Sequence, residues 1–218
     1  MLHCVAHVIA GQKIFVHAVS GAVGGALLRL GQLQGAQLLG TTSLKKQDEM
    51  RQLGAVPFDY SSENWIAVIQ EFGGVDAVFD PLGLESFDES YSVLKKGGVL
   101  VGYGMNLPAW TRTPERPVIP SALKLLSKNL FFWSGKRTTL FGVNRDSKNF
   151  APVLEQRFKW LRDGTISVPM KATFKLHEIQ KGASRVCQQC THRLNSGRGR
   201  PIESRHEIRN IRRCRVQS

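Results

Sequence analysis

One stretch constrains this chain more than any other: Lys13 to Leu33, KIFVHAVSGAVGGALLRLGQL. It reads strand, tight glycine turn, helix. Ile14 to His17 is a short apolar run rich in β-formers, and Ser20-Gly21-Ala22-Val23-Gly24-Gly25 is the turn. Ala26 to Leu33 resumes with Leu27 and Leu30 at helical spacing, shouldered by Leu28 and Leu33. Such a turn aims backbone N–H groups and a helix N-terminus at an anion, and a pyrophosphate fits there. The dinucleotide fingerprint G-x-G-x-x-G is not matched: Ala18 stands first, followed by Gly21 and Gly24. The same glycines also suit an ordinary strand-to-helix turn that only packs closely.

The pattern then repeats. Ala36–Thr41 reads as a second strand, Lys45–Leu53 as a helix closed by Gly54, and Val56–Tyr60 as a third strand. Ser61 or Ser62 caps a helix with Trp65, Ile66, Val68, Ile69 and Phe72 as its apolar positions. Val75–Phe79 is a fourth strand ending at Asp80-Pro81, Glu85–Leu94 a helix stopped by Gly97-Gly98, and Val99–Tyr103 a fifth strand. Strands separated by helices imply parallel pairing, so the expected class is α/β, a doubly wound parallel sheet. Ligands of such sheets lie outside the carboxyl ends of the strands. Here those ends are His17–Gly21, Thr41–Ser43, Asp80–Gly83 and Gly102–Gly104.

Beyond Met105 a proline-rich loop is expected, then an apolar helix at Ser121–Phe132, a strand at Thr138–Val143 and an amphipathic helix at Phe150–Arg162. In that helix Val153, Leu154, Phe158 and Leu161 are expected to face inward. Residues 1–10 read as the end of a helix stopped by Gly11, Ala172–Phe174 as a short strand, and His177–Val186 as the start of a helix. No apolar run reaches the roughly 18 residues of a membrane helix, and the N-terminus does not read as a signal peptide, so the expected location is cytoplasmic. The net charge is +13, and eight Arg against two Glu between Arg193 and Ser218 supply almost half of it. That segment reads as a disordered, solvated basic tail. Such a tail could also attract nucleic acid or anionic membrane, a weaker reading. Cys187-x-x-Cys190, with His192, His206 and Cys214, lacks a second ligand pair of standard spacing, so no metal site is assigned.

The order of these pieces resembles the medium-chain dehydrogenase/reductase superfamily, nearest its zinc-independent quinone oxidoreductase-like branch. The stretches that carry the resemblance are AGQKIFVHAVSGAVGGALLRLGQLQGAQLLGT, LGAVPFDYSSENW, GGVDAVFDPLG, LKKGGVLVGYG and SGKRTTLFG. It runs from about Met1 to about Ala183. The resemblance implies a Rossmann-type NADP-binding domain over residues 1–184, with residues 185–218 as the atypical tail. It also implies a GroES-like catalytic domain ahead of this one, which the sequence given does not contain. The return strand of the GKIVL kind expected after about Ser184 is replaced by the Arg-rich tail, so a truncated relative is expected.

Residue by residue, the resemblance assigns Ser20, Gly21, Ala22 and Val23 to the pyrophosphate turn. Ser43 and Lys46 match positions used for a 2′-phosphate, and Tyr60 one that flanks the adenosine. Gly83, Tyr103 and Gly104 would lie along the nicotinamide half. The residues agree with NADPH: after the second strand come Thr41-Thr42-Ser43-Leu44-Lys45-Lys46, with no carboxylate before Asp48. Asp80 reads as a strand-end carboxylate capping local N–H groups, and His17 as a satisfied interior residue. No catalytic residue is assigned. The implied reaction is hydride transfer from NADPH to a quinone or α,β-unsaturated carbonyl. The alternative is a non-catalytic nucleotide- or partner-binding module. Ser134–Gly142 resembles a segment that pairs edge to edge between subunits, so a homodimer is expected.

Overall fold

Strands β1 (Lys13–Val16), β2 (Gln37–Thr42), β3 (Ala55–Asp59), β4 (Val75–Asp80), β5 (Leu94–Gly102) and β6 (Arg137–Leu140) form one parallel sheet. Their order is β3-β2-β1-β4-β5-β6. The connecting helices are α1 (Ala22–Leu33), α2 (Gln47–Gln52), α3 (Asn64–Glu71), α4 (Ser86–Ser92) and α5 (Val118–Ser127), with α6 (Phe150–Arg162) after the sheet. This is the expected doubly wound α/β arrangement. The computed structural model describes residues 1–62, 64–83, 86–104, 118–130, 132–142, 148, 150–168, 173 and 175–178. The chain divides into two units, Met1–Pro169 and Met170–Ser218. The first holds the sheet and all six helices. The second, where described, includes a 3-10 turn at Leu176–Glu178.

The strands alternate because their side chains do. Ile14, Val16, Leu38, Ala77, Phe79, Val99 and Val101 join one buried cluster, with Leu27 and Leu28 of α1 and Met50 of α2. Phe15, Leu39, Val78 and Leu100, one residue out of step, join the other. Trp65 and Ile69 of α3, Phe87 of α4 and Leu125 of α5 cover them. Phe15 stacks on Trp65 at 4.8 Å between ring centroids. The helices are thus shared between the two faces, and the order reverses between β1 and β4. That reversal opens a crevice at the carboxyl ends of these two strands.

Several expectations need correction. Residues 1–10 are no regular helix: Leu2–Ala6 is a single π turn, ended by His7 at φ 48°. Leu2 and Val8 are buried, whereas Ile9 is exposed. The expected Lys45–Leu53 helix is α-helical over Gln47–Gln52, while its first two residues belong to a 3-10 turn at Leu44–Lys46. Gly97-Gly98 does not precede β5 but lies within it. β5 begins at Leu94, opposite Val75, and its next partner pair is Ala77 with Val99, so residues 95–98 bulge. In α6, Val153, Leu154, Phe158 and Leu161 are 41%, 42%, 54% and 39% exposed. Periodicity shows which residues share a helix face. It does not show that another surface covers that face. Of the expected strand at 172–174 only Thr173 is described, and it is not in a strand. The expected loop ends early, since α5 starts at Val118. Its residues 105–117, nearly all of the 177–186 helix and the basic tail lie outside the described residues.

Two backbone approaches fix the turn after β1. A Cβ on Gly24 would sit 2.3 Å from the Ala18 carbonyl oxygen and 2.7 Å from Val19 Cα. A Cβ on Gly40 would sit 2.4 Å from the Val16 oxygen and 2.8 Å from Val19 Cβ. Ala18 itself has φ 55°, a left-handed conformation that glycine adopts freely and alanine does not. An alanine at the first fingerprint position therefore carries a backbone strain that glycine would not. Gly40→Ala is expected to cost about 1–3 kcal/mol by overpacking against backbone. Ala18→Gly is expected to stabilise by about 1 kcal/mol. Urea unfolding of both variants beside the parent chain checks the two signs.

Candidate functional site

Because every strand runs the same way, the expected site residues gather on one edge of the sheet. Gly21 is the N-cap of α1, and Ala22 and Val23 form its first turn. α1 has no acidic residue in that turn, and no side chain caps it among the described residues. Its first N–H groups are consequently available to an anion. Ser20 is tied to the next strand, since the Thr42 hydroxyl donates to Ser20 Oγ at 2.8 Å. Ser43 precedes the 3-10 turn after β2, and the Lys46 N–H donates to the Ser43 carbonyl at 2.9 Å. Tyr60 follows β3, with its side chain exposed and its N–H on the Thr42 carbonyl.

Gly83 lies in the turn after β4, at φ 80°, and its N–H reaches Asp80 Oδ1 at 3.3 Å. Tyr103 and Gly104 follow β5, and the Tyr103 N–H donates to the Asp80 carbonyl at 3.0 Å. Burial, with Asp80 nearby, holds the Tyr103 phenol well above its ordinary range, so it stays protonated. Residues after five strands therefore share one edge. No geometry sets Tyr103 as an acid, and among the described residues no hydroxyl–imidazole–carboxylate set faces the crevice.

A buried polar cluster lies directly beneath this edge. Asp80 is fully buried and accepts four hydrogen bonds from the described residues. The Leu82 and Gly83 amides donate to Oδ1, and the Ser86 and Ser90 hydroxyls donate to Oδ2 at 2.7 Å each. Four donors offset the cost of burying a carboxylate. His17 is held by Ser90 through Nε2 and by Thr41 through Nδ1. Its ring meets Phe15 and Trp65 edge to face. Burial pushes the imidazole below its ordinary pKa, outweighing the opposite pull of Asp80, so the ring is neutral near pH 7. Asp80 and His17 thus occupy the interior roles expected of them. Ser86 and Ser90 carried a legible signal that the sequence reading passed over. Four apart, they share one face of the helix that follows the Asp80 strand end.

Among the described residues no group of three or more His, Cys, Asp or Glu side chains converges on a point. The cysteines and histidines from Cys187 onward lie outside the described residues. Nor is any helix among the described residues long and apolar enough to cross a membrane.

Comparison with known proteins agrees with this geometry. The family model described as "Zinc-binding dehydrogenase" matches residues 53–192, well over half the chain. A probable quinone oxidoreductase of Schizosaccharomyces pombe is 22% identical over 184 residues, spanning 83% of this chain and 53% of that protein. The CurK enoyl reductase structure superposes at TM-score 0.66 with 21% identity, over 88% of this chain and 55% of that one. A mycobacterial protein complexed with NADPH superposes at TM-score 0.66 with 24% identity, over 88% of this chain and 58% of that one. The chain thus spans little more than half the length of these proteins. The sheet order, the glycine turn at its switch point and the family match lead to one assignment: the chain belongs to the zinc-binding dehydrogenase family, as a quinone oxidoreductase-like member of the medium-chain dehydrogenase/reductase superfamily.

Proposed function

We propose that this chain is the NADPH-binding domain of an oxidoreductase that transfers hydride from NADPH to a quinone or an α,β-unsaturated carbonyl. The observation that carries the reading is the uncapped N-terminus of α1, set at the β1–β4 reversal of the sheet. The described residues fit the cofactor. Gly24 leaves no room for a Cβ beneath the turn, and the Ala22 and Val23 amides offer donors to a pyrophosphate. Ser43 and Lys46 follow β2, where an NAD site would hold a carboxylate, and they suit a 2′-phosphate. Tyr60 flanks the adenosine half, and Gly83, Tyr103 and Gly104 border the nicotinamide half. The neighbour complexed with NADPH supports the same choice.

Bound NADPH supplies the hydride itself. The protein's part is to orient the ring and exclude water, and Asp80 and Tyr103 hold the backbone that does so. The described residues offer no ligand set for the zinc of the family's description. The relatives' activity belongs to chains of which this one spans little more than half, and that supports a second reading: a module that binds nucleotide without turnover.

A homodimer through Ser134–Gly142 is part of the proposal. β6 is the last strand in the sheet order. At Thr138 its outer edge is already closed: Asn129 accepts the Thr138 N–H at 2.7 Å and donates to the Thr138 carbonyl at 2.9 Å. The Phe141 N–H turns inward to Gly102, so by alternation the Leu140 N–H faces out. A second copy would therefore pair from Leu140 onward.

Titration with NADPH and NADH, followed by nicotinamide fluorescence, tests the cofactor reading. NADPH is expected to bind more tightly, and Lys46→Ala to weaken NADPH about tenfold with little effect on NADH. Equal affinity for both nucleotides, or for neither, defeats it. A quinone turnover assay on the same sample separates enzyme from binding module. Light scattering is expected to show a dimer that Leu140→Pro converts to monomer without changing the melting temperature. A monomeric parent chain ends the dimer proposal.

A further inference from the structure

The buried cluster beneath the site has a direction. Ser90 has one hydroxyl proton, and it goes to Asp80 Oδ2 at 2.7 Å. Toward His17 Nε2, 3.0 Å away, Ser90 Oγ can then only accept, so Nε2 carries the ring proton. His17 is 3% exposed and packed between aromatic rings, conditions that disfavour a second proton. Nδ1 is left bare and accepts from the Thr41 hydroxyl at 3.3 Å. A lone pair on Thr41 Oγ1 in turn accepts the Ala18 N–H at 3.1 Å. At the far end, Asp80 Oδ1 holds the Leu82 and Gly83 amides.

The result is one unbroken chain: Ala18 amide, Thr41, His17, Ser90, Asp80, then the amides of the next turn. Every proton in its middle points toward Asp80, because a carboxylate accepts and does not donate. Its interior members, Thr41, His17, Ser90 and Asp80, are 3%, 3%, 0% and 0% exposed, so water does not substitute for a missing link. The chain joins the turn proposed for the pyrophosphate to the turn proposed for the nicotinamide half.

We propose that His17 is a positioning residue of the cofactor site: it locks the turn after β1 to the turn after β4 in one register, so both halves of an extended dinucleotide meet preset backbone. The inference rests on the cofactor reading above. His17 is buried, and it acts through Thr41 on one side and through Ser90 and Asp80 on the other. A histidine suits this role because its neutral ring accepts at one nitrogen and donates at the other, here across two strand ends.

The test uses the full chain with Thr41→Val, Ser90→Ala, the double variant and Thr41→Ser. Melting curves first establish which variants fold. Each single variant is expected to weaken NADPH about fivefold to tenfold, and the double variant no more than either alone, because either cut opens the same chain. Thr41→Ser keeps the hydroxyl and should restore binding. Parental affinity in both single variants, or losses that simply add, overturns the proposal. A second readout needs no nucleotide. In ¹⁵N-labelled protein, Thr41→Val should shift the Leu82 and Gly83 amide signals, and Ser90→Ala that of Ala18. The His17 ring should show the Nε2–H tautomer. Shifts confined to the mutated strand end, or the other tautomer, overturn the locking role. If the parent chain binds neither nucleotide, the cofactor reading and the positioning role fall together, and the amide shifts then report only whether the two turns are coupled.

Discussion

The burial of Asp80 is the constraint on which the working edge of this protein depends. A carboxylate withdrawn from water is costly unless every nearby donor is aimed at it. Here two backbone amides and two serine hydroxyls meet that demand. Doing so fixes the turn after β4, the start of α4 and, through Ser90, the ring of His17. From His17 the constraint passes to Thr41 and the turn after β1. Three strand ends are set relative to one another by polar contacts on the edge that faces outward.

Packing does the complementary work on the two faces of the sheet. Phe15, Trp65 and Phe87 close one face, and Val16, Leu28 and Phe79 the other. Close backbone approach then brings the turn after β1 onto β2: Val16 and Val19 sit where a Gly40 side chain would be, and the Val19 N–H donates to the Thr41 carbonyl at 3.0 Å. Apolar burial stabilises the layers without specifying the edge, because it is non-directional. The hydrogen bonds specify the edge, because each one depends on direction and distance.

Much of the fold was legible because parallel α/β proteins write both periods plainly. IFV, LLG, VDAVF and VLVG alternate between two buried faces, and glycine marks most of the helix ends. The candidate site residues were legible for a topological reason: in an all-parallel sheet, residues that follow strands in the sequence share one edge in space. Gly97-Gly98 misled because a glycine pair marks a bulge as readily as a helix end. Leu2–Ala6 misled because a single turn has too few residues to show a period. Ser86 and Ser90 were passed over because two serines on a helix usually face water. Their role exists only once Asp80 is brought beneath them.

The sequence by itself therefore determined the class of fold, the parallel sense of the sheet, the turn at its switch point and the absence of a carboxylate after β2. Those properties follow from local pattern, because hydrophobic period, turn chemistry and residue type act over a few neighbouring positions. Only the tertiary structure decided the remainder. It joined Thr41, His17, Ser90 and Asp80 into one directed chain, put Ala18 in a left-handed conformation, closed the Thr138 edge with Asn129 and left the apolar face of α6 half-exposed. The hydrogen-bonded partners in that chain lie between 10 and 73 residues apart, and no local preference acts over such distances. What brings them together is the shared burial of six strand segments, and what orients them is the cost of leaving any one polar group unpaired inside.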